Sequence, residues 1–146
     1  MTAKEELMSI SRMRHRINRI QNRVAEIRET MTSLRSPSGV MSPDKVQTSM
    51  DGDKLASLVA ELDELENRYL DDMKELQRKI TRITDRIDKM EDERYKQVLF
   101  SRYVIGETWE QIAVEMNFFI RHIYRLHGEA LKEYAKTALN DSIQEC

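Results

Sequence analysis

With 146 residues and a formal net charge of -2, the chain has room for one domain or for a small domain on an extended stalk. Only four glycines and two prolines against 34% charged residues argue against a β-rich or α/β enzyme core and for long solvated helices. The near-neutral balance excludes a uniformly basic nucleic-acid protein, so any such role must rest on local patches.

The single cysteine, Cys146, can form no internal disulfide, which fits a reducing cytoplasm. Neither a signal-peptide pattern nor an apolar run of about 18 residues is present, so no membrane association is expected.

From Ile10 the apolar residues fall at Met13, Ile17, Ile20, Val24, Ile27, Met31 and Leu34. Their steps alternate three and four, a heptad seam that predicts a helix from about Ala3 to Leu34. Its outer faces carry Arg12, Arg14, Arg16, Arg19, Arg23 and Arg28. These arginines either touch DNA phosphates or pair with acids of a neighbouring helix.

Residues 36–53 hold both prolines and two glycines, which ends the helix and predicts a connector. Within it Val40, Met41, Val46 and Met50 are candidates to cap the tip of a hairpin. A second seam follows through Leu55, Leu58, Leu62, Leu65, Tyr69, Met73, Leu76, Ile80, Ile83, Ile87 and Met90. Two successive four-residue steps, Leu65 to Tyr69 to Met73, interrupt its alternation with a stutter. Between Asp53 and Glu75 eight acids face three bases, the opposite bias to the first helix. Complementary seams of this kind suggest an antiparallel hairpin; homodimerisation through the same residues is equally compatible.

Nothing along these helices suggests catalysis. Asp63-Glu64 and Asp71-Asp72 are adjacent on a helix and point in different directions, so they do not converge. His122 and His127 stand five apart, unlike the i,i+4 pair that holds zinc, so neither a metal, a cofactor nor an enzyme is expected.

Near the C-terminus an apolar helical stretch ends at Ile105, where Gly106 can supply a left-handed cap. Thr108 and Gln111 then fit a capping box, opening a short helix with Trp109, Ile112, Ala113 and Met116 on one face. After a bend near Asn117-Phe118 a further helix begins, with Ile123, Leu126, Ala130 and Leu131 as its stripe. No acid occurs from Asn117 to Gly128, whereas Arg121, His122, Arg125 and His127 all fall there. Short helix, tight turn and a second helix with outward cations are the build of a helix-turn-helix.

The segment Thr108 to Tyr134, with T-x-E-x-I-A followed by R-x-I-Y-R-L-H-x-x-A-L-K, resembles region four of bacterial sigma factors, which recognises the -35 promoter element. Together with R-Y-V-I-G-E-T-W-E-Q-I-A and the connector S-P-D-K-V-Q-T-S, it is more fully similar to phage and prophage transcriptional regulators of the RinA/ArpU type. The resemblance implies that Arg121, His122, Tyr124 and Arg125 occupy the DNA-facing slots of a recognition helix. Where sigma-like modules open that helix on Ser or Thr, this chain has Phe118-Phe119-Ile120. Either Asn117 caps the helix from slightly earlier, or Phe119 and Ile120 face the DNA and touch thymine methyls; a third option is that this apolar turn binds protein.

The expectation is an all-α protein: a long antiparallel helical hairpin or coiled coil over 1–91, a helix-turn-helix domain over 92–139, and a tail over 140–146. Its function, as the resemblance implies it, would be sequence-specific binding of double-stranded DNA at a phage or prophage promoter, in contact with RNA polymerase and activating genes, with the coiled coil making it a homo-oligomer. The alternative is a coiled-coil adaptor whose C-terminal domain binds a protein such as RNA polymerase without reading DNA. On the first view Phe119 to His127 form a positively charged rod held clear of its own domain.

Overall fold

The computed structural model describes residues 1–35 and 47–144, with side chains for all of these except 35 and 47–51. The fold is all-α. Helices α1 (Ala3–Arg35), α2 (Gln47–Asp88), α3 (Glu93–Leu99), α4 (Trp109–Met116) and α5 (Ile120–Gln144) follow one another, α3 running on into a π-helical segment, Phe100–Ile105. Helix α2 starts within the expected connector, and α5 continues through most of the expected tail. Of the hairpin-tip set, Val40, Met41 and Val46 lie outside the described residues, and so does the side chain of Met50, whose backbone belongs to α2.

The chain folds as two compact units, one of His15–Lys74 and the other of Met1–Arg14 together with Glu75–Cys146. This division differs from the boundary drawn at 91/92. The C-terminal unit also recruits the first turns of α1 and the last turns of α2.

In the unit His15–Lys74 the two helices run antiparallel. Ile17, Ile20 and Ile27 of α1 are buried, and Val24 and Met31 on the same stripe are half-buried. The facing residues Leu55, Leu58, Leu62, Leu65 and Tyr69 of α2 are half-buried. At the stutter the seam changes hands: Met73 is 40% exposed while Asp72 is only 7% exposed. Two four-residue steps advance the stripe further than a heptad allows, so Met73 rotates outward and Asp72 turns in. Arg16 meets the buried carboxylate, its Nε 2.9 Å from Asp72 Oδ2.

The same unit resolves the two readings of the arginine-rich face at three positions. Arg23 grips Glu61 through two hydrogen bonds of 2.8 and 3.0 Å, and Arg28 reaches Glu66 at 3.4 Å. With Arg16 on Asp72, these cations serve the acid-rich helix beside them. The Arg23 and Arg28 pairs are open to solvent, which screens them, so they act more to select the partner face than to hold it.

In the other unit, buried Leu7 and Ile10 of α1 join buried Leu76, Ile83 and Ile87 of α2 and Met90 just after it, with Val98, Leu99, Tyr103 and Val104 beyond them. Glu6 pairs with Arg86, which also approaches Asp141 of α5 at 3.6 Å. Tyr134 is fully buried, and its hydroxyl lies near Arg86 and Glu6 without making a hydrogen bond among the described residues. Burial above all, and then the Glu6 charge, push that phenol up to about 12. These contacts hold the C-terminal half of α5, including its last turns, against α1 and α2.

Candidate nucleic-acid interface

The segment ahead of α4 is built as its residues require. Gly106 adopts φ 91°, and its amide and that of Glu107 both donate to the carbonyl of Ser101, at 3.0 and 2.9 Å. A side chain at this left-handed position would be strained. Thr108 then caps α4: its Oγ1 accepts from the Gln111 amide at 3.2 Å, and Gln111 Oε1 accepts from the Thr108 amide at 2.9 Å. Thr108→Ala leaves the Gln111 amide without its partner, and urea denaturation should show a loss of ~1 kcal/mol.

Between the helices Asn117 takes φ 57°, ψ 43°, and its amide donates back to Ala113 and Val114. Asparagine is among the few residues that tolerate this conformation. Asn117 is therefore the C-cap of α4, and not the N-cap of α5. At the start of α5 the Phe119 carbonyl accepts the amides of His122 and Ile123, at 2.9 and 3.2 Å.

The expected site residues separate at this point. Phe119 is 89% exposed, whereas Ile120 packs half-buried against the core of Val98, Ile112, Ala113, Ile123 and Leu126. Expected at the outer face beside Phe119, Ile120 instead belongs to the inner one. One step along a helix rotates a side chain by about 100°, so the two cannot share a face.

Arg121 and Arg125 are exposed, and neither joins an ion pair among the described residues. Arg125 Nη2 donates to His122 Nδ1 at 2.7 Å, which sets that imidazole as an acceptor on this side. The His122 ring also stands edge-on to Phe118, with centroids 4.6 Å apart. It is a half-buried strut between the turn and Arg125. Tyr124 is 50% exposed and leans on Trp109 in a T-shaped contact at 5.6 Å. The outward set is thus Phe119, Arg121, Tyr124 and Arg125.

Trp109 does more than fill the core. Its ring also meets His127 at 4.6 Å and lies 4.4 Å beneath the Arg102 guanidinium, which in turn donates to the Glu107 carbonyl at 3.0 Å. His127, expected to add charge to the rod, is neutral. Its Nε2 is 2.6 Å from the Tyr103 hydroxyl, and burial, followed by the charges of Lys4 and Arg102, lowers its pKa to about 4. Sequence reasoning passes over Arg102 as a functional candidate because it precedes the motif; its only local signal is the spacing to Trp109.

The positive character of this face therefore comes from arginines, on a helix braced by a capped neighbour. Among the described residues no helix is long and apolar enough to cross a membrane. No family model, no curated protein and no solved structure matches the chain.

Proposed function

We propose that the protein is a sequence-specific DNA-binding transcriptional regulator of the phage or prophage RinA/ArpU type, an activator that reads a promoter through α4 and α5. The observation that carries this reading is the pair of exposed guanidiniums of Arg121 and Arg125, unpaired among the described residues, in the acid-free run from Asn117 to Gly128 with Tyr124 beside them. One turn separates the two arginines, so both can point into one major groove while α4 crosses the backbone. Arginine forks match the acceptor pair of guanine, and Phe119 has the apolar surface that suits a thymine methyl. A module this small binds weakly alone. The half-covered seam of α1 and α2 offers a second copy a place to pair, which would set the spacing of two half-sites in the cytoplasm of the host.

A second reading keeps the fold and changes the ligand: an adaptor whose C-terminal unit binds RNA polymerase without reading DNA. It draws on Phe119 and on Val114, 81% exposed, which place apolar surface at the turn.

Selection of bound duplexes from a random pool, followed by titration at several salt concentrations, separates the two. The regulator recovers a shared sequence, and its affinity falls steeply with salt as phosphate counterions are released. Absence of any enriched duplex, with polymerase still captured, would leave the adaptor standing.

A further inference from the structure

We propose that the DNA-binding surface extends beyond α5 onto the first turns of α1, where Lys4 and Arg14, with Arg102 of the π segment, form a phosphate-contacting flank. The inference rests on the DNA-reading role above and adds to it a segment about a hundred residues away in the chain.

The geometry is a chain of short steps within one unit. The Arg14 guanidinium lies 3.9 Å from the place a β-carbon on Gly106 would occupy, so it hangs over the loop that leads into α4. From that loop Arg102 takes the Glu107 carbonyl and covers Trp109, and Trp109 touches Tyr124 on the outer face of α5. The arginines thereby trace a path from the start of α4 to Arg121 and Arg125. Lys4 belongs to the same unit, and with Arg102 it is one of the two cations that bear on the proton of His127.

Three features make this flank suited to an anionic polymer. Lys4, Arg14 and Arg102 join no ion pair among the described residues, unlike Arg82, Arg86, Lys89, Arg94 and Lys96 in the same unit. An acid beside the flank is engaged elsewhere. Glu5, next to Lys4 in the chain, accepts the Thr2 amide at 2.9 Å. Finally, the positive end of the α4 dipole lies at this loop, with Glu110 in the first turn of that helix.

Contacts of this kind position the protein and carry no base preference. The test therefore reads salt dependence and not sequence choice. The full chain is titrated with a mixed-sequence duplex by fluorescence anisotropy over a series of sodium chloride concentrations, as wild type and as Lys4→Gln with Arg14→Gln. Each lost phosphate contact lowers the magnitude of the log-log slope by about 0.9, so the double variant should fall by nearly two. Lys54→Gln with Lys74→Gln, which removes the same charge from exposed positions in the other unit, should keep the wild-type slope. A second readout does not depend on a folded variant: acylation of the Lys4 amine in the wild-type protein should slow when duplex is bound. Unchanged slope and unchanged acylation in a wild type that binds duplex overturn this inference and leave the recognition helix untouched. A wild type that ignores duplex altogether overturns the DNA-reading role itself.

Discussion

Replacing Arg121 and Arg125 together with alanine is expected to abolish selective binding while leaving the fold intact. Each bidentate arginine–guanine contact supplies ~1–3 kcal/mol, and about 1.4 kcal/mol is tenfold, so losing two lowers affinity for the selected site by roughly 30-fold to 10⁴-fold. Both side chains are exposed, and among the described residues the one hydrogen bond lost is that from Arg125 to His122. Thermal stability should accordingly change by no more than ~0.5 kcal/mol, the scale of ordinary surface substitutions. That separates loss of recognition from loss of structure. Arg121→Lys with Arg125→Lys sharpens the result: charge survives and the planar fork does not. Non-specific affinity and its salt slope should return, and preference for the selected site should not. Anisotropy titrations of the selected and a scrambled duplex measure both quantities. Equal affinities for the two duplexes in the wild type would show that these arginines read nothing.

The second expected result is a loss of stability in mild acid that depends on one imidazole. In the folded chain His127 is held neutral by burial and by the nearby Lys4 and Arg102, with a pKa of about 4. Unfolded, it titrates near its ordinary value of ~6.5. Above that value neither state binds the proton and His127 makes no pH-dependent difference. Between about 6.5 and 4 the unfolded chain takes up a proton that the folded chain refuses, so stability falls as pH falls. Below about 4 both states are protonated and the loss levels off. A shift of this size corresponds to at most ~3.5 kcal/mol, at ~1.4 kcal/mol per unit. Urea denaturation from pH 7.5 to 4 should show this fall in the wild type and a shallower one in His127→Gln. The amide keeps a partner for the Tyr103 hydroxyl and cannot gain charge. Parallel curves for the two proteins would mean that His127 is solvated in the native state.

Much of the local construction was legible from residue types. The glycine that ends the π segment, the reciprocal Thr108–Gln111 cap and the apolar stripes of α4 and α5 follow from the chemistry of helix ends and from helical spacing. The stutter in α2 was visible as two long steps, although its consequence was not. A pattern of apolar residues says where the stripe drifts, and the partner helix decides which side chain replaces it. Here Arg16 made Asp72 acceptable at the seam.

The candidate interface was legible only as a set of positions on one helix. Phe119 and Ile120 are equivalent as a hydrophobic dipeptide, and they part because Asn117 turns the chain left-handed and fixes the phase at which α5 begins. His122 and His127 look alike as polar residues in an acid-free run. One is a strut for Arg125, and the other is withdrawn from water by Tyr103 and Trp109.

By itself, then, the sequence determined the all-helical class, the extent of α1, the caps ahead of α4 and most of the apolar face of each helix. These depend on interactions within a turn or two, which residue identity specifies directly. Tertiary structure alone decided that the first fourteen residues belong with the C-terminal unit, that Arg16, Arg23 and Arg28 are occupied by acids while Arg14 and Arg102 are not, and that one histidine is uncharged. Each of those outcomes turns on which charge or ring arrives from a distant part of the chain, and electrostatic and burial terms are set by those neighbours.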